Sequence, residues 1–393
     1  MKILYIHNDY ARPSGEEHAS ASLAALLEEH GHEVRFFRRS SAEIAGSFGG
    51  KIKAFFAGIA NPSAARAVAR ELDSFRPDLV QVQNLYPLLS PSIFKPIKAR
   101  KIPVVMRCPN YRLFCPNGLC YNGEVCEKCF GGHEWNCFFN NCTGSRFKSL
   151  GYAVRGYAAR ASGRILRNVD MFIVQTEFQK RKFAEQGIPA EHIGIVPGIM
   201  PVMDPADRWT PGKYVTFVGR VSPEKGIDEF LEAARRLPEI PFAVAGSYDG
   251  MPGIREQAPP NVEFRGFLKG DDLRNAYLDS RFIVVPSKWY EGFPNVIVMS
   301  MMLRKPTLTA AIGATGSIIT DGREGELFAP GDPADLAAKI AALYPDLEKC
   351  RAMGEHGLDT AQRLYSRDSI YKILEDIYAA ARRFNDAAND KRK

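Results

Sequence analysis

The chain has 393 residues, 45% hydrophobic and 25% charged, with a formal net charge of +7, the balance of a soluble globular protein of about two or three domains. No apolar run approaches the ~20 residues that span a bilayer, and the opening MKILYIHNDY turns polar at His7, Asn8 and Asp9 too early for a signal peptide, so the expected setting is the cytoplasm. Residues 1–197 carry 26 Lys/Arg against 17 Asp/Glu and residues 198–393 carry 26 against 28; the basic first half suits phosphate, pyrophosphate or the anionic inner face of a membrane, while the lack of a basic low-complexity tail or RNA-binding signature argues against nucleic acid.

Lys2–Ile6 is apolar and β-rich. Glu16–Glu29 places Ala19, Leu23, Leu26 and Leu27 at helical spacing before the stop signal Gly31, and Glu33–Phe37 reads as a second strand. This βαβ order predicts parallel strands with a right-handed crossover. Further strands are expected at Leu79–Val82, Ile102–Met106, Met171–Val174 and Ile193–Val196, with a helix over 176–186 closed by Gly187 and Pro189. The stretch 143–182 interleaves nine Lys/Arg, among them Arg155, with Phe147, Tyr152 and Tyr157. It reads as an amphipathic helix packed on the first sheet with its arginines outside, or as a helix lying on an anionic membrane surface.

Residues 197–213 are proline-rich and aperiodic, the best linker in the chain. The alternation then restarts with strands Tyr214–Val218, Phe242–Ala245, Val262–Phe264, Phe282–Val285 and Thr307–Ala310. Helices are expected at Gly226–Arg236, Asp271–Leu278, Pro294–Leu303, Asp332–Leu343 and Ser369–Arg383, and the basic end 381–393 reads as a solvated tail. Two successive open α/β sheets predict a ligand cleft beyond the carboxyl ends of their strands.

Two loops carry chemistry. Gly219-Arg220-Val221-Ser222-Pro223-Glu224-Lys225-Gly226 leaves a strand and opens a helix; its glycine, guanidinium fork and ammonium are the ingredients of a diphosphate site, although a solvated turn with two surface cations has the same composition. Ser287–Asn295 likewise leaves a strand for a helix. Glu291 can grip hydroxyls there or simply stabilise its helix, and the N–H groups of 292–295 can face an anion. Seven of eight cysteines fall between Cys108 and Cys142. The Cys126/Cys129 pair with Cys115, Cys137 and Cys142 could form a structural zinc site, with His133 a weaker ligand, or a thiol-rich or disulfide-closed loop without metal. His7 and Asp9 end the first strand, where they can touch a substrate or cap the turn.

GRVSPEKG (219–226), VEFRGFL (262–268), PSKWYEGFPNVIVMSM (286–301), Asp321-Gly322 and FAPGD (328–332) resemble the second lobe of retaining family 4 glycosyltransferases; HNDY (7–10), SGEE (14–17) and NYRLFCPNG (110–118) resemble the first lobe of bacterial members. The resemblance implies a GT-B fold, two Rossmann-like doubly wound parallel-sheet domains facing across a cleft. Residues 1–197 would be the acceptor-binding domain with a Cys-rich insertion at 108–142, residues 198–368 the nucleotide-sugar domain, and 369–393 a helix crossing back to the first.

Carried over, Arg220 and Lys225 neutralise the diphosphate of a UDP- or GDP-sugar, and Glu291 contacts its sugar. Gly292, Phe293 and Asn295 line sugar and phosphate, Gly219 and Gly15 approach the diphosphate, and Gly266 and Leu268 lie on the base. His7, Asp9 and Asn110 fall on the acceptor side. The same resemblance favours Cys115, Cys126, Cys129 and Cys142 as the zinc set, with Cys137 as substitute. Two positions depart from the family pattern. Met299 replaces a glutamate that grips the ribose, a loss of about 0.5–1.5 kcal/mol, and Pro109 replaces a histidine over the reacting sugar. With no Asp-x-Asp motif at a strand end, catalysis is expected to need no metal or other cofactor. The implied activity is transfer to a carbohydrate or lipid-linked acceptor in surface polysaccharide assembly. The alternatives are a non-catalytic nucleotide-sugar or glycan binder, a GT-B-like epimerase and a phosphorylase.

Overall fold

The computed structural model describes residues 1–10, 15–44, 48–199 and 204–391. The linker is therefore described except for 200–203, and the first glycine loop only from Gly15 onward. Six parallel strands form the first sheet: β1 (Lys2–Asp9), β2 (Glu33–Ser40), β3 (Leu79–Asn84), β4 (Val104–Arg107), β5 (Met171–Val174) and β6 (Ile193–Ile195), in the order β2-β1-β3-β4-β5-β6. A second parallel sheet comprises β7 (Tyr214–Val218), β8 (Phe242–Ala245), β9 (Val262–Gly266), β10 (Ser280–Val285), β11 (Thr307–Ala310) and β12 (Gly325–Phe328), in the order β12-β11-β10-β7-β8-β9. Helices cover the sheets, and the architecture is the GT-B fold.

Strand direction places the site. In an open parallel sheet the crevice opens at the carboxyl end where the strand order reverses. In the first sheet that point lies between β1 and β3, where His7 is the register partner of Asn84. In the second it lies between β7 and β10, so the loops after Val218 and Val285 flank it. Both candidate loops read from the sequence therefore emerge where their sheet can bind a ligand.

The final helix, Arg367–Asp390, returns to the first sheet. Ile370, Leu374, Ile377, Tyr378 and Ala381 pack in one core with Ile3, Tyr5, Leu79, Val105 and Ile173. Each large aliphatic side chain buried there contributes about 1.5–3 kcal/mol. The Tyr378 hydroxyl donates to Gln81 at 2.5 Å, and the Asn385 amide donates to the Lys101 carbonyl at 2.7 Å. Residues 381–390 are thus not the solvated tail expected from their charge, since Ala381 and Asn385 continue the buried face one and two turns beyond Ile377.

The basic aromatic stretch is also corrected. Its helix, Arg146–Ser162, packs chiefly on the helices Phe48–Ile59 and Asn136–Phe139, with Ala159 reaching the core of the first sheet. Arg155 points inward and is only 8% exposed. No helix among the described residues is long and apolar enough to cross a membrane.

Candidate active site

After β7 the chain makes a single turn of 3-10 helix at Pro223–Lys225 and reaches Gly226 with φ of 77°, the left-handed region that glycine tolerates. A Cβ at Gly226 would overlap the Pro286 carbonyl. This close seating, with the Lys288 N–H donating to the Glu224 carbonyl at 2.9 Å, fastens the first loop to the one after β10. The Lys225 ammonium is thereby brought to the Glu291 carboxylate, 2.7 Å from Oε1 and 2.8 Å from Oε2, and lies 5.5 Å from the centre of the Trp289 ring.

Glu291 is 6% exposed. Burial pushes its carboxyl up, but the Lys225 charge and hydrogen bonds from Lys225 and Ser287 outweigh burial and hold it below the ordinary carboxylate value. Arg220 is different: its side chain is exposed and pairs with Glu224 at 2.6 Å. Such an exposed pair contributes about 0–1 kcal/mol, so an incoming anion exchanges with it at little cost.

The helix Asn295–Met302 starts directly beyond this ion pair and has Pro294 at its N-cap, which supplies no side-chain acceptor to the first-turn N–H groups. Those donors and the positive helix end favour an anion at the mouth of the crevice. Asn295 is exposed there. Phe293 is turned the other way: a Cβ on Gly198 would meet the Phe293 ring and the Asn295 amide, and Phe293 stacks edge-on to Tyr365 at 5.8 Å. Its ring therefore packs against the linker and Tyr365. Met299 is half-buried, with the Tyr277 hydroxyl 4.0 Å from its sulfur, inside an apolar cluster. Gly266 and Leu268 leave β9, two strands from β7 and so about 10 Å away, and the Gly246 N–H donates to the Gly266 carbonyl at 2.7 Å. The loops after β7 and β9 share one edge of the second sheet at that separation.

The first lobe supplies the opposite wall. A Cβ on Gly292 would overlap the Pro109 carbonyl, so this glycine permits the lobes to touch beside the Lys225–Glu291 pair. Tyr290 extends the contact, its ring 4.7 Å from that of Phe178 and 5.9 Å from that of Tyr111. Pro109 thus occupies the crevice wall as a backbone acceptor. With the Gln175 amide assigned so that its nitrogen faces the Pro109 carbonyl (3.2 Å) and its oxygen the Arg107 guanidinium (3.0 Å), it bridges the two.

His7 is 1% exposed, and neither ring nitrogen has a hydrogen-bond partner among the described residues. Its Nε2 lies 3.3 Å from Asp9 Oδ1 and 4.0 Å from Glu17 Oε1. Burial depresses its pKa despite the surrounding carboxylates. The turn is capped instead by Asn8 and Asn84: Asn84 Nδ2 donates to the Asn8 carbonyl at 2.8 Å, and the Leu88 N–H donates to Asn8 Oδ1 at 2.9 Å. Gly15 opens the helix Gly15–Glu29. Asn110 accepts from the Arg112 N–H at 3.0 Å, and Arg112 donates to the Tyr10 hydroxyl at 2.9 Å. Sequence reasoning passed over Arg107 and Arg112; an arginine closing an apolar strand, and another inside the NYRL motif, were the available signals.

The expected metal quartet is not drawn together. Among the described residues, the group of His, Cys, Asp and Glu with ligand atoms within 4.8 Å of one another is His7, Asp9 and Glu17, and no set of three cysteines reaches that spacing. Cys115 shares its sulfur contacts with Cys129 and with Cys120, a residue outside the expected set, and their hydrogen bonds lower its pKa. Cys142 pairs with Cys137, whose thiol burial pushes up to about 12. Cys126 lies beside Cys120, its N–H donating to the Cys120 carbonyl. All the cysteines are free thiols. The four sulfurs thus do not fit one tetrahedral site, where they would lie about 2.3 Å from a shared ion.

Residues 14–198 match the family described as glycosyl transferase 4-like domain, and residues 212–346 match the family described as glycosyl transferases group 1. The chain is 29% identical over 180 residues to a sulfoquinovosyl transferase of Arabidopsis thaliana, covering 42% of this chain and 33% of that protein. It is 27% identical over 177 residues to an alpha-D-kanosaminyltransferase of Streptomyces kanamyceticus, covering 42% and 45%. These matches span less than half the length of either relative. Among solved structures, Anabaena HepE in complex with UDP superposes with a TM-score of 0.66 at 17% identity over 97% of this chain and 100% of that one.

Proposed function

The chain belongs to the glycosyltransferases, with a 4-like domain in its first lobe and a group 1 domain in its second, and from that premise we propose that it is a retaining enzyme. In this reading it moves a hexosyl group from a UDP- or GDP-sugar to a carbohydrate acceptor, free or lipid-linked, during surface polysaccharide or glycoconjugate assembly. The observation that carries the reading is the Lys225–Glu291 pair at the reversal point of the second sheet, beside the uncapped helix N-terminus and next to the contact of Gly292 with Pro109 of the first lobe.

Each group has a task. Lys225 and Arg220 meet the negative charge that grows on the leaving phosphate as the bond from the anomeric carbon breaks. Glu291, held ionised, accepts hydrogen bonds from sugar hydroxyls and fixes the ammonium. The acceptor hydroxyl forms the new bond on the face being vacated, and its proton passes to the leaving phosphate, giving nucleoside diphosphate and a glycoside of unchanged configuration. Fixed cations serve where a metal would otherwise neutralise the phosphates. The protein works at the inner face of the membrane, which the basic first half supports.

A panel of UDP-, GDP- and other nucleotide-sugars in a thermal-shift assay identifies the donor, since a ligand at 100 times its Kd stabilises the fold by about 2.7 kcal/mol. NMR of the product then gives its configuration; inversion, or strict dependence on added Mg²⁺ after chelation, contradicts the reading. The packing of Met299 against Tyr277, where a ribose-gripping carboxylate was expected, favours a second reading, a non-catalytic binder. Measured turnover excludes it.

A further inference from the structure

The helices Phe48–Ile59 and Arg146–Ser162 do not close completely against each other. Glycines stand where they approach: Gly151 faces the Phe55 ring, and Gly58 faces the stem of Arg155. Between them opens a cavity of about 600 Å³ whose walls include Phe55, Pro87, Phe147 and Tyr152, and whose inner end carries Arg112 and Arg155. Arg112, Arg155, Tyr86 and Tyr152 also line a smaller void that continues to Asn84, Arg107 and Asn110 on the acceptor side of the crevice.

Arg155 is the unexplained group. It is 92% buried, taking its 8% exposure. Its guanidinium lies 4.1 Å from the Tyr86 ring centre and 4.4 Å from that of Tyr152, and no ion pair among the described residues reaches it. Its charged neighbour is a second cation, Arg112, so both burial and repulsion press on its proton. A guanidinium stays charged in proteins, and a buried charge without an anion costs several kcal/mol. Arg112 feels the Glu16 carboxylate, whereas Arg155, beside it at the end of an aromatic cavity, has no ion pair among the described residues and is complementary to an anion that arrives with an apolar chain attached. The rim is suited to a membrane-borne ligand: Phe147 is 50% exposed with Lys148 next to it on the cavity wall, and Phe56, whose ring contacts that of Phe55, is 63% exposed.

We propose that this cavity binds an amphiphile carrying a phosphate or pyrophosphate ester, with Arg155 and Arg112 on the anion and the aromatic walls on the apolar chain. Resting on the function proposed above, this makes the acceptor a sugar linked through that ester, extending past Asn110 towards the donor loops.

The test is calorimetric titration of the purified full chain with decyl pyrophosphate, inorganic pyrophosphate and the neutral decyl maltoside. Wild type is expected to bind decyl pyrophosphate at least tenfold more tightly than either other probe. Arg155→Met and, separately, the rim variant Phe147→Ala each weaken it by about tenfold or more while melting cooperatively. Equal binding of inorganic pyrophosphate removes the apolar role, equal binding of decyl maltoside removes the anion role, and an unchanged Kd in Arg155→Met overturns the proposal. Titration of the same samples with UDP and GDP keeps the two claims separate. If neither nucleotide binds wild type, the donor assignment fails whatever the cavity does; if one binds wild type and Arg155→Met alike, a failure of decyl pyrophosphate falls on the cavity alone.

Discussion

The Lys225 ammonium touches both oxygens of the Glu291 carboxylate, at 2.7 and 2.8 Å, and so joins the loop after β7 to the loop after β10. Neither residue can change without leaving the other charge exposed to a site built for the pair.

Lys225→Met strands a buried carboxylate. It is expected to lower stability by about 1–3 kcal/mol and transfer by about 100-fold or more, read from denaturant unfolding and initial rates. Glu291→Gln keeps the shape and loses the charge. Because the folded carboxyl titrates below its ordinary value, its contribution is present above the unfolded pKa of about 4.3 and disappears as pH falls through the lower folded value. The stability difference between wild type and Glu291→Gln therefore shrinks in acid.

His7 follows the opposite charge logic with the same pH direction. Burial favours its neutral ring. Its contribution is full above the unfolded value of about 6.5 and is lost as pH falls through the depressed folded value, because the unfolded chain takes up the proton first. His7→Gln should flatten this part of the Tm profile between neutral and mildly acidic pH.

Gly292→Ala places a methyl group on the Pro109 carbonyl and forces the lobes apart at the crevice. The expected result is a drop in kcat of tenfold or more, since the closed arrangement of the lobes is lost.

Ile377→Ala removes the side chain that covers Gly194 and packs against the first sheet. A loss of about 2–5 kcal/mol is expected, together with weaker coupling of the lobes, visible as earlier protease cleavage between 197 and 213.

Metal analysis of protein purified without added metal should give zinc well below one equivalent, because Cys115, Cys126, Cys129 and Cys142 do not converge. One equivalent of tightly held zinc would show that the thiol loop rearranges around an ion.

Most strands could be read from composition because each is a short apolar run between turn residues: β5, β7, β8 and β11 fall within the residues expected. Short or glycine-rich elements were less visible. β12 has only Leu327 and Phe328 as apolar signal. The helix Leu347–Tyr365 has no counterpart among the expected helices; its Gly354 and Gly357 let it approach the Arg304 carbonyl and Met301. The two candidate loops after β7 and β10 were legible in the sequence because their chemistry is local, a glycine-bounded run with its own cations. The acceptor wall was not, since Arg107, Gln175 and Arg155 meet only through the topology of the first lobe. Periodicity located the helix bearing Arg155, but not the gap beside it into which the arginine turns.

A crystal structure with the nucleoside diphosphate selected by the binding panel tests the central claim most directly. The account predicts both phosphates within hydrogen-bond distance of Lys225 and Arg220, with the base over Gly266–Leu268. A diphosphate bound elsewhere, with the Lys225–Glu291 pair untouched, would contradict it.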